Sequence, residues 1–148
     1  MDINIDNILY ICIKLDNESK AKLKELVTEV FNDDYCKLFC DHLTLAFGRE
    51  CELFDMDLIG EKVTLVSGTI AFNDRIAALV VDRGQVEQYG VNNEHPHITL
   101  ATFDHFTRPV YSNQMLGDRD EGYELVEFKD DPLELSGEIV SVPKSHSF

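Results

Sequence analysis

Two five-residue segments constrain this chain most: His42-Leu43-Thr44-Leu45-Ala46 and His97-Ile98-Thr99-Leu100-Ala101 agree at four of five positions. They lie about 55 residues apart, an internal repeat whose two copies must occupy equivalent local structure. Both read as strands. Residues two apart in a strand project to the same face, so each His stands beside its Thr, while Leu43/Leu45 and Ile98/Leu100 turn to the opposite, core-facing layer. Two such strands set around a cleft would present two imidazoles and two hydroxyls to one ligand.

The remaining patterning surrounds these strands with an α+β domain. Ile8–Leu15 is β-branched and aromatic, and Asp16-Asn17 offers a strand end and a helix cap. Leu23, Leu26, Val27 and Val30 recur at helical spacing between charged residues, which predicts an amphipathic helix over Ser19–Phe31, broken by Asn32-Asp33-Asp34. Leu38–Phe47 reads as one strand carrying the first motif. Lys62–Phe72 and Arg75–Val81 read as two antiparallel strands joined at Asn73-Asp74, with Gly84–Glu94 as a loop. Pro96–Phe103 carries the second motif. Arg108–Leu116 has Pro near its start and Gly117 after its end, the asymmetry of a short helix. Tyr123–Phe128 and Leu133–Val142 close the pattern as strands, giving about eight strands and two helices in a single domain over residues 1–148.

A length of 148 residues with 44% hydrophobic residues is enough for one buried core. The formal net charge of −15 argues against a protein that holds long nucleic acid, because that mode neutralises many phosphates with a Lys/Arg surface. A small or terminal phosphate ligand fits better. The four cysteines, Cys12, Cys36, Cys40 and Cys51, lack the spacing of a zinc site or disulfide framework and read as reduced thiols. Met1–Asn7 carries acidic residues and no basic one, unlike a signal peptide, and no apolar stretch approaches the roughly 20 residues needed to span a bilayer. The expectation is a cytoplasmic, monomeric protein.

Phosphodiester hydrolysis needs a base to activate water and an acid to protonate the departing oxygen, and histidine serves for either near neutrality. Two hydroxyl donors can hold the non-bridging oxygens as charge builds on phosphorus. Neither metal nor cofactor is required, and the chain contains no His-Glu-x-x-His motif and no carboxylate cluster suited to a two-metal site.

On these motifs the chain resembles the 2H phosphoesterase superfamily, characterised by two H-x-T/S motifs. Val63–Leu79, then His95-Pro96-His97-Ile98-Thr99-Leu100 and Arg108-Pro109-Val110-Tyr111-Ser112-Asn113, are similar to the 2′,3′-cyclic phosphodiesterase domain of plant and fungal tRNA ligases. The similarity covers most of the chain from Asp41 to Leu116. It implies a duplicated, bilobal fold with two antiparallel sheets around a central cleft and helices outside. It also implies His42 and His97 as the catalytic pair, Thr44 and Thr99 as phosphate ligands, and the opening of a cyclic phosphate to a 2′-phosphate. We give His97 the base role and His42 the acid role; the residues themselves leave the order open.

Three readings stand: opening of 2′,3′-cyclic phosphates on nucleotides or RNA ends, degradation of cyclic or 2′-5′ oligonucleotide signals, and a non-catalytic nucleotide-binding module. Tyr10 and Tyr111 are candidates for stacking a base, or are ordinary core or rim tyrosines. Ser112 and Asn113 could donate hydrogen bonds to a ligand or cap the helix. His95 could line the cleft; His105 and His146 read as surface residues. Arg49, Arg75 and Arg108 are the cations best suited to phosphate. Cys36, Cys40 and His42 would leave a zinc ion without a fourth ligand. Asp118–Glu121 and Asp130-Asp131 read as solvated turns.

Overall fold

The computed structural model describes residues 7–92, 94–117 and 122–144; Asp118–Glu121 and His146 lie outside them. Strand β1 (Ile8–Leu15) leads into helix α1 (Asn17–Phe31), whose first turn is capped as expected: the Asp16 carboxylate accepts from the Ser19 amide at 2.8 Å. Strands β2 (Lys37–Leu38), β3 (His42–Phe47), β4 (Lys62–Ser67), β5 (Thr69–Phe72), β6 (Ile76–Val80) and β7 (His97–Thr102) follow. Helix α2 (Tyr111–Gly117) and strands β8 (Glu124–Glu127) and β9 (Leu133–Pro143) come last, and short 3-10 helices at Gly48–Leu53 and Met56–Leu58 link β3 to β4. The expected loop between β6 and β7 contains two short 3-10 turns, Arg83–Gln85 and Glu87–Tyr89. Among the described residues no helix is long and apolar enough to cross a membrane.

Two expected strands are each divided. Leu38–Phe47 breaks at Cys40, which takes a left-handed φ of 53°. The break lets β2 run along β7, with Phe39 and Cys40 amides donating to Leu100 and Thr99 carbonyls, before β3 turns away to pair with β1. Lys62–Phe72 breaks at Gly68. A Cβ there would lie 3.1 Å from Cα of Lys129, so glycine permits the crossing of two backbones where the chain passes from β4, paired with β9, to β5, paired with β6 and β8.

The strands form one antiparallel sheet in the order β4-β9-β1-β3-β7-β6-β5-β8, with β2 also on β7. This corrects the expectation of two separate sheets. The edges that β3 and β7 would leave unpaired meet at Leu43 opposite Ile98, and β2 covers more of β7, so backbone groups that would be orphaned are paired. The two motif strands carry a matching irregularity. Along β1 and β3, Ile11 faces Ala46 and Cys12 faces Thr44, which leaves Leu45 as a bulge; along β6 and β7, Ala77 faces Ala101 and Ala78 faces Thr99, which leaves Leu100.

One face of the sheet packs on α1. Leu23 and Val27 join Ile11, Ile13, Leu43, Leu79, Ile98 and Leu100 in the main core, and Phe31 meets Phe72 and Phe103 edge-on. The opposite face carries the motif histidines and threonines, all half-buried. Helix α2 lies on this second face, contrary to the expectation that both helices lie outside. Its Met115 and Leu116 pack on Ala71, Ile76 and Ala78, and Ala78 is the residue directly across from Thr99.

Candidate active site

Period-two alternation places His42, Thr44, His97 and Thr99 on one face, and the strand junction brings them together. With Leu43 opposite Ile98 in an antiparallel pair, His42 falls across from Thr99 and Thr44 across from His97. All four line a cleft of about 910 Å³.

The two histidines are held differently. His97 Nδ1 lies 2.8 Å from the carbonyl oxygen of His95; a carbonyl only accepts, so Nδ1 carries the proton and Nε2 offers a lone pair when the ring is neutral. Burial pushes the proton affinity of His97 down; the bond to the His95 carbonyl opposes this, while His42 and His95 add to the lowering. His42 Nδ1 instead faces the Asp41 carboxylate at 3.1 Å, and the other oxygen of Asp41 binds Lys20 of α1 at 2.8 Å. The hydrogen bond from His42, helped by Lys20, holds the Asp41 carboxyl well below the usual carboxylate range against the cost of its burial. The His42 ring also stacks on Tyr10, with centroids 5.2 Å apart and planes 22° apart.

Thr99 is supported from below. Its Oγ1 lies 3.0 Å from Oγ of Ser112, and Ser112 is wholly buried in α2. Ser112 is therefore a support for Thr99 rather than a lining residue. Asn113, one position on, does line the cleft, as do Tyr10 and His95. Tyr111 does not: its ring is covered by the Arg75 guanidinium at 4.0 Å and its hydroxyl accepts from Asn73 at 3.3 Å. Successive residues of a helix point about 100° apart, so Tyr111 and Asn113 cannot share a direction. The three candidate arginines are not among the lining residues, and Arg75 is further engaged by Thr107 at 3.0 Å. Instead Asp41, Glu50 and Glu94 line the cleft, and no lysine or arginine does among the described residues.

Sequence reasoning missed Asp41, Lys20 and Phe47. Strand alternation assigns Asp41 to the face opposite His42, and only the break at Cys40 frees it. Phe47 is 57% exposed at the cleft wall and stacks 6.4 Å from Tyr10; its place after a bulge hid it from simple alternation. The thiols Cys36 and Cys40 donate to the Phe103 and Leu100 carbonyls, and among the described residues no three His, Cys, Asp or Glu side chains group to hold a metal ion.

Comparison with known proteins bears on the fold and on the family. The solved structure of a fungal RNA kinase superposes with a TM-score of 0.60 at 18% identity, covering 95% of this chain and 46% of that one. The chain thus spans about half of that neighbour, and the likeness is one of fold. No curated protein sequence matches the chain. Residues 14–140, which include both motifs, match the model of the fungal tRNA ligase phosphodiesterase domain. With the paired motifs and most of its length inside that match, the chain belongs to the family of fungal tRNA ligase phosphodiesterase domains.

Proposed function

We propose that this protein opens 2′,3′-cyclic phosphates of nucleotides or RNA ends to 2′-phosphates by two-histidine acid–base catalysis without a metal ion. The observation that carries the reading is the unequal support of two imidazoles across one cleft, in a chain of a phosphodiesterase family. His97, biased towards its neutral form, takes the proton of the attacking water at Nε2 as oxygen bonds to phosphorus. The bond from phosphorus to O3′ breaks, and His42 delivers a proton to that oxygen. The product is a 2′-phosphate with a 3′-hydroxyl; the pair returns to its starting state by exchange with solvent. Thr44 and Thr99 hold the non-bridging oxygens. The bulges at Leu45 and Leu100 support reading the two halves of the sheet as a duplicated lobe.

The acidic cleft and the absence of lining lysine or arginine among the described residues favour a substrate of few phosphates over a long strand. Incubating the protein with 2′,3′-cyclic AMP and with cyclic di- and trinucleotides in EDTA, and reading products by phosphorus NMR, tests the proposal. A 2′-monophosphate is expected, with His42→Ala and His97→Ala each lowering kcat by about 10²–10⁴-fold. Full activity in either variant would overturn it. Turnover of the oligonucleotides alone would move the substrate to the signalling class, and binding without product would leave a non-catalytic module.

A further inference from the structure

We infer that Asp41, clamped by Lys20, is a positioning residue that makes His42 the proton donor of the pair; this rests on the phosphodiesterase reading above. Asp41 sits in the break between β2 and β3, where its backbone carbonyl accepts from the Leu15 amide at the end of β1 at 3.0 Å. Its two carboxylate oxygens have separate partners, Oδ1 with Lys20 Nζ at 2.8 Å and Oδ2 with His42 Nδ1 at 3.1 Å. Rotating the carboxylate would break a charge-assisted bond. Lys20 is itself placed by the start of α1, where its amide donates to the Asp16 carbonyl at 3.0 Å.

Two consequences follow for His42. A carboxylate accepts only, so Nδ1 must carry the proton and Nε2 is the nitrogen left to exchange one with a ligand. A formal negative charge also backs this ring, whereas His97 is backed by the neutral carbonyl of His95. The pair is thereby unequal: a carboxylate backs Nδ1 of His42, and a neutral carbonyl backs Nδ1 of His97. Other charged and titratable groups around His42 are Tyr10 and Lys14 from β1, Lys20 from α1, His97 from β7, and Glu50, Glu94 and His95 on the cleft wall. Asp41 is the carboxylate in hydrogen-bond contact, and it stays ionised through the neutral range because His42 and Lys20 hold its carboxyl down.

Asp41→Asn removes the charge and leaves one acceptor oxygen to be shared between Nδ1 and Lys20; Asp41→Ala removes charge and acceptors; Lys20→Met keeps the charge and frees one oxygen. On 2′,3′-cyclic AMP, Asp41→Asn is expected to lower kcat at pH 7.5 by about 10- to 100-fold, with KM within about threefold. Lys20→Met should lose less than about fivefold in kcat. Ring-nitrogen NMR at high pH should show the Nδ1–H tautomer at His42 in the wild type and Lys20→Met, and a loss of that preference in Asp41→Ala. An Asp41→Asn kcat equal to that of the wild type, or an Nε2–H tautomer at His42 in the wild type, would overturn the inference. A wild-type protein with no turnover would instead sink the phosphodiesterase reading, and the tautomer measurement would still decide the placement of His42.

Discussion

The hydrogen bond between Thr99 and Ser112 allows stability and activity to be separated in one double-mutant cycle. Thr99→Val is nearly isosteric but leaves the Ser112 hydroxyl, wholly buried, without its partner at 3.0 Å. An orphaned buried hydroxyl costs about 1–3 kcal/mol. At about 4 °C per kcal/mol for a chain of this size, Tm should fall by roughly 4–12 °C. Ser112→Ala leaves Thr99 half-buried, with the Pro109 carbonyl 3.4 Å away as a second acceptor, so its cost should be only about 0.5–1.5 kcal/mol. Replacing both removes the buried polar pair together, and the double variant should regain stability relative to Thr99→Val, with a coupling of about 1–2 kcal/mol. Catalysis should behave differently. Under the proposed function, losing the Thr99 hydroxyl removes a donor to the phosphoryl oxygens, worth about 10²–10³ in kcat, and Ser112→Ala cannot restore it. Urea unfolding and kcat on 2′,3′-cyclic AMP for the four proteins provide the measurement. If Thr99→Val is as stable as the wild type, or if Ser112→Ala alone costs as much kcat as Thr99→Val, then Ser112 is not a buried support and the site is misread.

His97 carries a pH signature in both folding and rate. Its folded-state proton affinity is lowered, so below about pH 6.5 the unfolded chain binds a proton that the folded one refuses, and stability falls as pH drops through that window. Urea midpoints at pH 7.5 and 5.5 should therefore converge more in His97→Gln than in the wild type; parallel losses would contradict the burial argument. Gly137→Ala offers a packing test away from the cleft: its Cβ would stand 2.6 Å from the Lys14 carbonyl oxygen and 2.9 Å from Ile13 Cγ2, so β9 must shift against β1. A loss of about 2–3 kcal/mol is expected in urea unfolding, and a neutral result would show that this strand pair is looser than its register implies.

Short-range patterning made much of this protein legible. β-branched alternation located β1 at its observed bounds, the 3.6-residue period and Asp16 cap located α1, and the two-residue period in the repeated pentapeptide put both histidines and both threonines on one face. Such features depend on neighbours along the chain, and a sequence displays those directly. Tertiary structure decided what depends on residues far apart. The breaks at Cys40 and Gly68 arise because the same chain must serve two parts of the sheet; no local propensity marks Cys40, and although a glycine within a strand signals a close approach at position 68, only the fold decides which backbone crosses there. Leu43 meeting Ile98 joined the halves into one sheet, the apolar patch around Ala78 drew α2 onto the cleft face, and Arg75 claimed Tyr111. The sequence by itself thus determined which four side chains share the cleft face, through strand periodicity. Only the fold, by bringing Lys20 and Asp41 to His42 and Ser112 to Thr99, determined how each is held, because those contacts join separate elements in space.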